Sequence, residues 1–154
     1  MYQRIVVGTD GSPGADFALD HAVELAKLSG ATLHVVSAHK LTTPYQLASA
    51  SEVGMAASAI GDANDAMHDD AVRICDAAVE RAKEAGVTVE GHCVPGDAAD
   101  ALLTVATDTK CDLLVVGNRG MTGARRFVLG SVPNKLSHHS PTSLLIVDTS
   151  AARA

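Results

Sequence analysis

The sequence predicts a doubly wound α/β domain in which five parallel strands alternate with four helices. Three observations lead there. Short, near-continuous apolar runs recur along the 154 residues, stretches of helical apolar spacing separate them, and no hairpin turn competes with that alternation. A strand buried on both faces loses the polar and apolar alternation of a half-exposed one, and right-handed crossovers then lay helices on both sides of the sheet.

The elements follow in order. Residues 4–9 (RIVVGT) read as a first strand that stops at Asp10, Gly11 and Ser12. Ser12 is an N-cap and Pro13 a first-turn proline, and Phe17, Ala18, Ala22, Leu25 and Ala26 recur at helical spacing until Gly30 supplies a left-handed stop. Residues 32–37 (TLHVVS) form the second strand. The stretch 38–65 is rich in Ala, Ser and Thr, holds Pro44, Gly54 and Gly61, and has no sustained period, which predicts a long variable loop with at most a helical turn. The second helix carries the stripe Met67, Ala71, Ile74, Ala78 and Ala82 and closes at Lys83 and Gly86. Met67, His68, Asp69 and Asp70 make its first turn acidic, as the helix dipole favours.

Residues 87–94 (VTVEGHCV) give a third, more polar strand, and a third helix starts near Asp97. Residues 112–117 (DLLVVG) are the fourth strand, Ser131 is the N-cap of the fourth helix, and residues 143–148 (SLLIVD) are the fifth strand. His138 and His139 lie late in the fourth helix, where cations suit the dipole, and the tail 150–154 is expected to fray.

A hydrophobic content of 47% with 19% charged residues fits one folded domain spanning 1–154. The net charge of -6 argues against nucleic acid or an anionic membrane surface as partner, and 3% aromatics leave little for stacking bases. Cys75, Cys93 and Cys111 are odd in number and never form CxxC, so they read as reduced core residues rather than a disulfide framework or zinc knuckle. No run approaches the roughly 18 apolar residues of a membrane helix, and no signal peptide opens the chain, so a cytoplasmic protein is expected.

In an open parallel sheet, ligands bind beyond the carboxyl ends of the strands where the strand order reverses. Two strand ends here carry unusual residues: Asp10 after the first, and Gly117, Asn118, Arg119 and Gly120 after the fourth. The second loop, GNRGMTGARRFVLGSVPNK, contains Gly117, Gly120, Gly123 and Gly130 before Ser131 opens a helix. Glycines admit close approach of an anion and a helix N-terminus offers unpaired N–H groups, although glycines in such loops also serve turns and close packing. The loop is neither GxxxxGK[ST] nor GxGxxG, so neither of those nucleotide fingerprints applies.

The spacing Gly117-x2-Gly120-x9-Gly130-Ser131 after an apolar strand resembles the GxxG(x9)G[ST] nucleotide motif of the universal stress protein family. RIVVGTDGSPGADFAL resembles that family's first strand and helix, and DLLVVGNRG with GSVPNKLSHHSPTSLLIV its last third. The resemblance implies a Rossmann-like sheet in the order 3-2-1-4-5. It also implies a homodimer through the last strand, which begins at Ser143 and closes at Asp148. It places Asp10 near a ribose with Thr9 beside it, and Val35 against adenine. Val116, Gly117, Asn118, Arg119, Gly120, Gly130, Ser131 and Val132 would meet the ribose and phosphates, with Mg2+ carried through the phosphates. Asn118 and Arg119 depart from the Ser-His pair often found after the first motif glycine, and Pro133 removes one amide beside the phosphate helix.

Plainer readings stand beside these. Asp10 also suits a turn with Gly11, Arg125 and Arg126 either grip phosphate or sit in solvent, and His34 reads as a core or edge residue. His21, His39, His68 and His92 lack ligand partners at useful sequence spacing, so no metal site is expected. The function that follows is an adenine-nucleotide-binding (ATP or related, including cyclic AMP) regulatory or sensor dimer in the stress response, with a slow ATPase or phosphotransferase as the alternative. Only Asp10, Arg119, Arg125 and Arg126 are available for phosphoryl transfer, so no catalytic residue is assigned. A phospho-acceptor receiver domain would need a lysine after the last strand, where Asp148, Thr149 and Ser150 stand instead.

Overall fold

A computed structural model describes residues 1–43, 53–119 and 128–153. The chain runs β1 (Arg4–Gly8), α1 (Pro13–Ser29), β2 (Thr32–His39), α2 (Val53–Glu84), β3 (Val89–Pro95), α3 (Ala98–Asp108), β4 (Leu113–Gly117), α4 (Ser131–His139) and β5 (Ser143–Val147). The strands form one parallel sheet in the order β3-β2-β1-β4-β5. This is the doubly wound topology and strand order expected, with β1 and β4 at the reversal.

Alternation along the central strands divides the core into two layers. Ile5, Val7, Leu33, Val35, Leu113 and Val115 pack against α1 and α2. Val6, Val36, Leu114 and Val116 pack against α3 and Leu136 of α4. Ile5, Val6 and Val7 are wholly buried, which is why β1 reads as an unbroken apolar run. The start of the β1–β4 pair is locked by Asp112, whose carboxylate accepts the amides of Gln3 (2.8 Å) and Arg4 (3.1 Å). The Asp112 amide donates in turn to the Arg4 carbonyl at 3.0 Å.

Local signals account for the helix ends. Ser12 Oγ accepts the Ala15 amide at 3.2 Å, and Gly30 closes α1 in the left-handed region at φ 69°. Asp97 caps α3 by accepting the amides of Ala99 and Asp100. The N-cap of α4 is Gly130 and makes no side-chain cap bond, so Ser131 is the first helical residue rather than the cap.

Other boundaries move. The helix expected from Met67 begins at Val53, so residues 53–65 are helical rather than loop, while 44–52 lie outside the described residues. Residues 57–59 and 65–70 are exposed, and an Ala-rich helix standing off the sheet needs no apolar stripe. Met67 to Asp70 consequently sit in mid-helix, where the dipole does not account for their charge. Strand β2 extends to His39 and β3 to Pro95, because their pairing continues through Ala38 opposite Val94 and His39 opposite Pro95. The tail expected to fray forms a 3-10 turn over Ser150–Arg153, with the Ala152 amide donating to the Thr149 carbonyl at 3.2 Å. Among the described residues, no helix is long and apolar enough to cross a membrane.

Leu114 is fully buried at the centre of the α3 and α4 layer. Leu114→Ala is expected to lower the unfolding free energy by about 2–5 kcal/mol through lost burial and a residual cavity, read as a shifted urea midpoint.

Candidate functional site

At the carboxyl end of the sheet the ends of β1, β2 and β4 and the start of α4 enclose a cavity of about 640 Å³. Its apolar wall comes from Val36, Ala38, Leu102, Val116 and Val132. Gly117, Arg119, Gly130 and Ser131 also line it, and Thr9, Asp10, Lys40 and Asp97 supply further polar groups.

The turn after β1 is held by its own side chains. Asp10 Oδ1 accepts the Ser12 amide at 3.0 Å and Thr9 Oγ1 accepts the Gly11 amide at 3.2 Å. The turn-forming reading of Asp10 is therefore realised, and the same residue lines the cavity. Close packing also favours glycine at the floor, where a larger residue would require its neighbour to shift. A Cβ on Gly8 would lie 3.0 Å from Leu102 Cδ1, and one on Gly117 would lie 3.0 Å from Thr149 Cγ2.

Asn118 works below the cavity instead of lining it. Its Oδ1 accepts both the amide (3.1 Å) and the hydroxyl (2.7 Å) of Thr149, and its Nδ2 donates to Asp148 at 3.1 Å. Its backbone donates to the Val147 carbonyl at 2.8 Å and accepts the Gly130 amide at 3.0 Å. One residue thus ties the exit of β4 to the exit of β5 and to the entrance of α4. Backbone and side-chain bonds from Ser150, with smaller help from Asn118 and Arg119, hold the Asp148 carboxyl below the usual range.

Electrostatics at the rim are mixed. Lys135 reaches Asp97 at 3.3 Å and Asp100 at 2.7 Å. Burial works to raise the Asp97 carboxyl, but the Asp100 amide together with Lys135 outweighs it and keeps the group below its ordinary value. Lys40 and Arg119 bring positive charge to the cavity itself.

Among the expected site residues, Thr9, Asp10, Val116, Gly117, Arg119, Gly130, Ser131 and Val132 line this one cavity. Val35 points into the α1 and α2 layer, and its neighbour Val36 holds the place on the wall. Gly120, Gly123, Arg125 and Arg126 lie outside the described residues. No motif marks Lys40 or Asp97 as a ligand contact, although each follows a strand end on the carboxyl side, where ligands bind.

The family model described as "Universal stress protein family" matches residues 1–148. The chain belongs to the universal stress protein family. A universal stress protein of Mycobacterium tuberculosis is 33% identical over 153 residues, covering 96% of this chain and 97% of the relative. Universal stress protein YxiE of Bacillus subtilis is 31% identical over 147 residues, covering 96% and 99%. Among solved structures, a universal stress protein in complex with cAMP superposes with a TM-score of 0.72 at 34% identity, over 97% of this chain and 99% of that one. UspA from Lactobacillus plantarum shares the fold with a TM-score of 0.80 at 18% identity, covering 95% and 97%. Within this family fold, the structure also gathers histidines for which sequence spacing offers no partners: His34 meets His92 at 3.1 Å, and His39 and His68 converge on Cys93.

Thr149 is almost wholly buried, so removing its acceptor leaves a hydroxyl and an amide unsatisfied. Asn118→Ala is expected to cost about 1–3 kcal/mol of stability, measured by chemical denaturation.

Proposed function

We propose that this universal stress protein binds an adenine nucleotide in the cavity at the β1–β4 reversal and acts as a cytoplasmic regulatory or sensor dimer. The observation that carries the reading is the entrance of α4, which faces the cavity without a side-chain cap. The helix itself supplies no partner for the amides of Ser131 and Val132, while the Asn134 amide is already bonded to the Gly130 carbonyl. Those two amides and the positive end of the dipole suit phosphate oxygens. Pro133 has no amide to add, so the backbone share of phosphate binding is small and side chains must complete it.

Lys40 and Arg119 are the cations placed to do so. The wall of Val36, Ala38, Leu102, Val116 and Val132 suits a base, and Asp10, using only Oδ1 in its turn, keeps its second carboxylate oxygen for ribose hydroxyls. The cAMP complex of the 34% identical relative supports an adenine ligand. Mg2+ would enter with the phosphates, its remaining positions filled by water. Binding with little or no turnover is the reading we favour, because Asp10 is engaged in its turn through Oδ1 and Asp97 is held by Lys135 and the start of α3.

The dimer reading rests on β5, which ends the sheet and carries the half-buried Leu144, Leu145 and Ile146. Antiparallel pairing of two such edges would cover an otherwise open template. Sedimentation at micromolar concentration is expected to give twice the chain mass, and a monomer would remove this part of the reading.

Calorimetry with ATP, ADP, AMP and cyclic AMP, each with and without Mg2+, tests the ligand. Asp10→Ala is expected to weaken all four, because the ribose is common to them. Lys40→Ala is expected to weaken ATP about tenfold and AMP little, since it removes one charge-assisted contact to the outer phosphates. No heat from any of the four would refute nucleotide binding, and phosphate release above the buffer rate would move the function to hydrolysis.

A further inference from the structure

On the far side of the sheet from the cavity wall, β2, β3 and α2 bring three lone-pair donors together. His39 closes β2 and is buried, Cys93 lies in β3 and is half-buried, and His68 is exposed on α2. Cys93 Sγ is 3.7 Å from His39 Nδ1 and 4.0 Å from His68 Nδ1, and the ligand atoms of all three lie within 4.8 Å of one another. The two imidazoles meet edge to face with centroids 5.0 Å apart.

From these positions we infer that His39, His68 and Cys93 form a binding site for a thiophilic divalent cation, Zn2+ in the first instance. Tetrahedral Zn2+ with ordinary bond lengths separates a thiolate sulfur from an imidazole nitrogen by about 3.6 Å. The two sulfur–nitrogen separations therefore need to close by only a few tenths of an ångström, and the two imidazole nitrogens already lie within 4.8 Å of each other. A donor set of two imidazole nitrogens and one thiolate sulfur selects zinc, cobalt or copper and disfavours Mg2+ and Ca2+, which take oxygen ligands. Exposure of His68 leaves the fourth position to water.

Without a cation the Cys93 S–H can donate to one Nδ1 while the other imidazole, as its Nδ1–H tautomer, donates to the sulfur, and the longer of the two contacts is at the limit of a sulfur hydrogen bond. Burial, then neighbouring His68, keeps the His39 imidazole below its usual value. Burial and the Asp76 carboxylate keep the Cys93 thiol protonated without a cation. On binding, the S–H bond breaks, its proton passes to buffer and the sulfur pair forms the S–Zn bond. The second histidine cluster differs, because His34 Nδ1 is already engaged by His92 Nε2 at 3.1 Å and lies 3.5 Å from Glu90.

The site shares no residue with the cavity, so it stands whether or not nucleotide binds. The test uses tag-free, reduced, chelator-stripped full-length protein titrated with Co2+ and then Zn2+. Expected are one Co2+ per chain, a thiolate-to-cobalt charge-transfer absorption, its loss on adding Zn2+, and no competition from Mg2+ or Ca2+. Cys93→Ser should abolish the absorption. His68→Gln, on an exposed helix surface that tolerates the change, should weaken Zn2+ by more than the roughly 10–100-fold that loss of an outer-shell partner costs. His92→Gln and Cys111→Ser should leave both intact. No absorption in the unaltered protein, absorption that survives Cys93→Ser, or Zn2+ affinity unchanged in His68→Gln would each overturn the assignment.

Discussion

Ile5, Val6 and Val7 pair with Leu113, Leu114 and Val115, joining segments more than a hundred residues apart, and the rest of the architecture depends on that register. Asp112 fixes it at one end by accepting two amides from the neighbouring strand and returning its own. At the other end the chain leaves β1 and β4 side by side, with β2 and β3 on one flank and β5 on the other. The loops diverge there because successive strands are added in opposite directions, and the crevice between them is a geometric consequence. A slip of one residue would exchange the two core layers and carry Thr9 and Gly117 out of the cavity.

The cavity is shaped by close packing as much as by chemistry. Leu102 presses on Gly8 and Thr149 on Gly117, so the same absence of side chain that admits these neighbours also lets a ligand reach the backbone. Asn118 shows how a residue within a glycine motif can brace the loop through its side chain. By fixing Thr149 and accepting the Gly130 amide, it sets where α4 begins and where its first amides point.

Most of the scaffold is legible in the sequence because its causes are local. Buried parallel strands declare themselves as apolar runs, and Ser12, Gly30 and Asp97 are caps whose side chains or conformations act within a few residues. The first half of α2 is not legible, because exposed helix carries no stripe for periodicity to find. Val36 in place of Val35 is a matter of strand parity, in which one position separates the two faces. Lys40 carries no motif, and only its place beyond β2 brings it to the cavity. His39, His68 and Cys93 look unrelated along the chain because pairing of β2 with β3 and the lie of α2, not sequence spacing, unite them.

The separation of β1 from β4 also orders events in time. During synthesis the amino-terminal segments leave the ribosome first, and β1, β2 and α1 can associate while β4 is still unmade. The cavity has no floor until Leu113–Gly117 joins β1, and no helix entrance until α4 follows. Long-range parallel pairing is intrinsically slow, since loop closure precedes the contacts that reward it. A truncated or stalled chain therefore displays much of the sheet without the cavity, whose lining is complete only with the final quarter of the polypeptide.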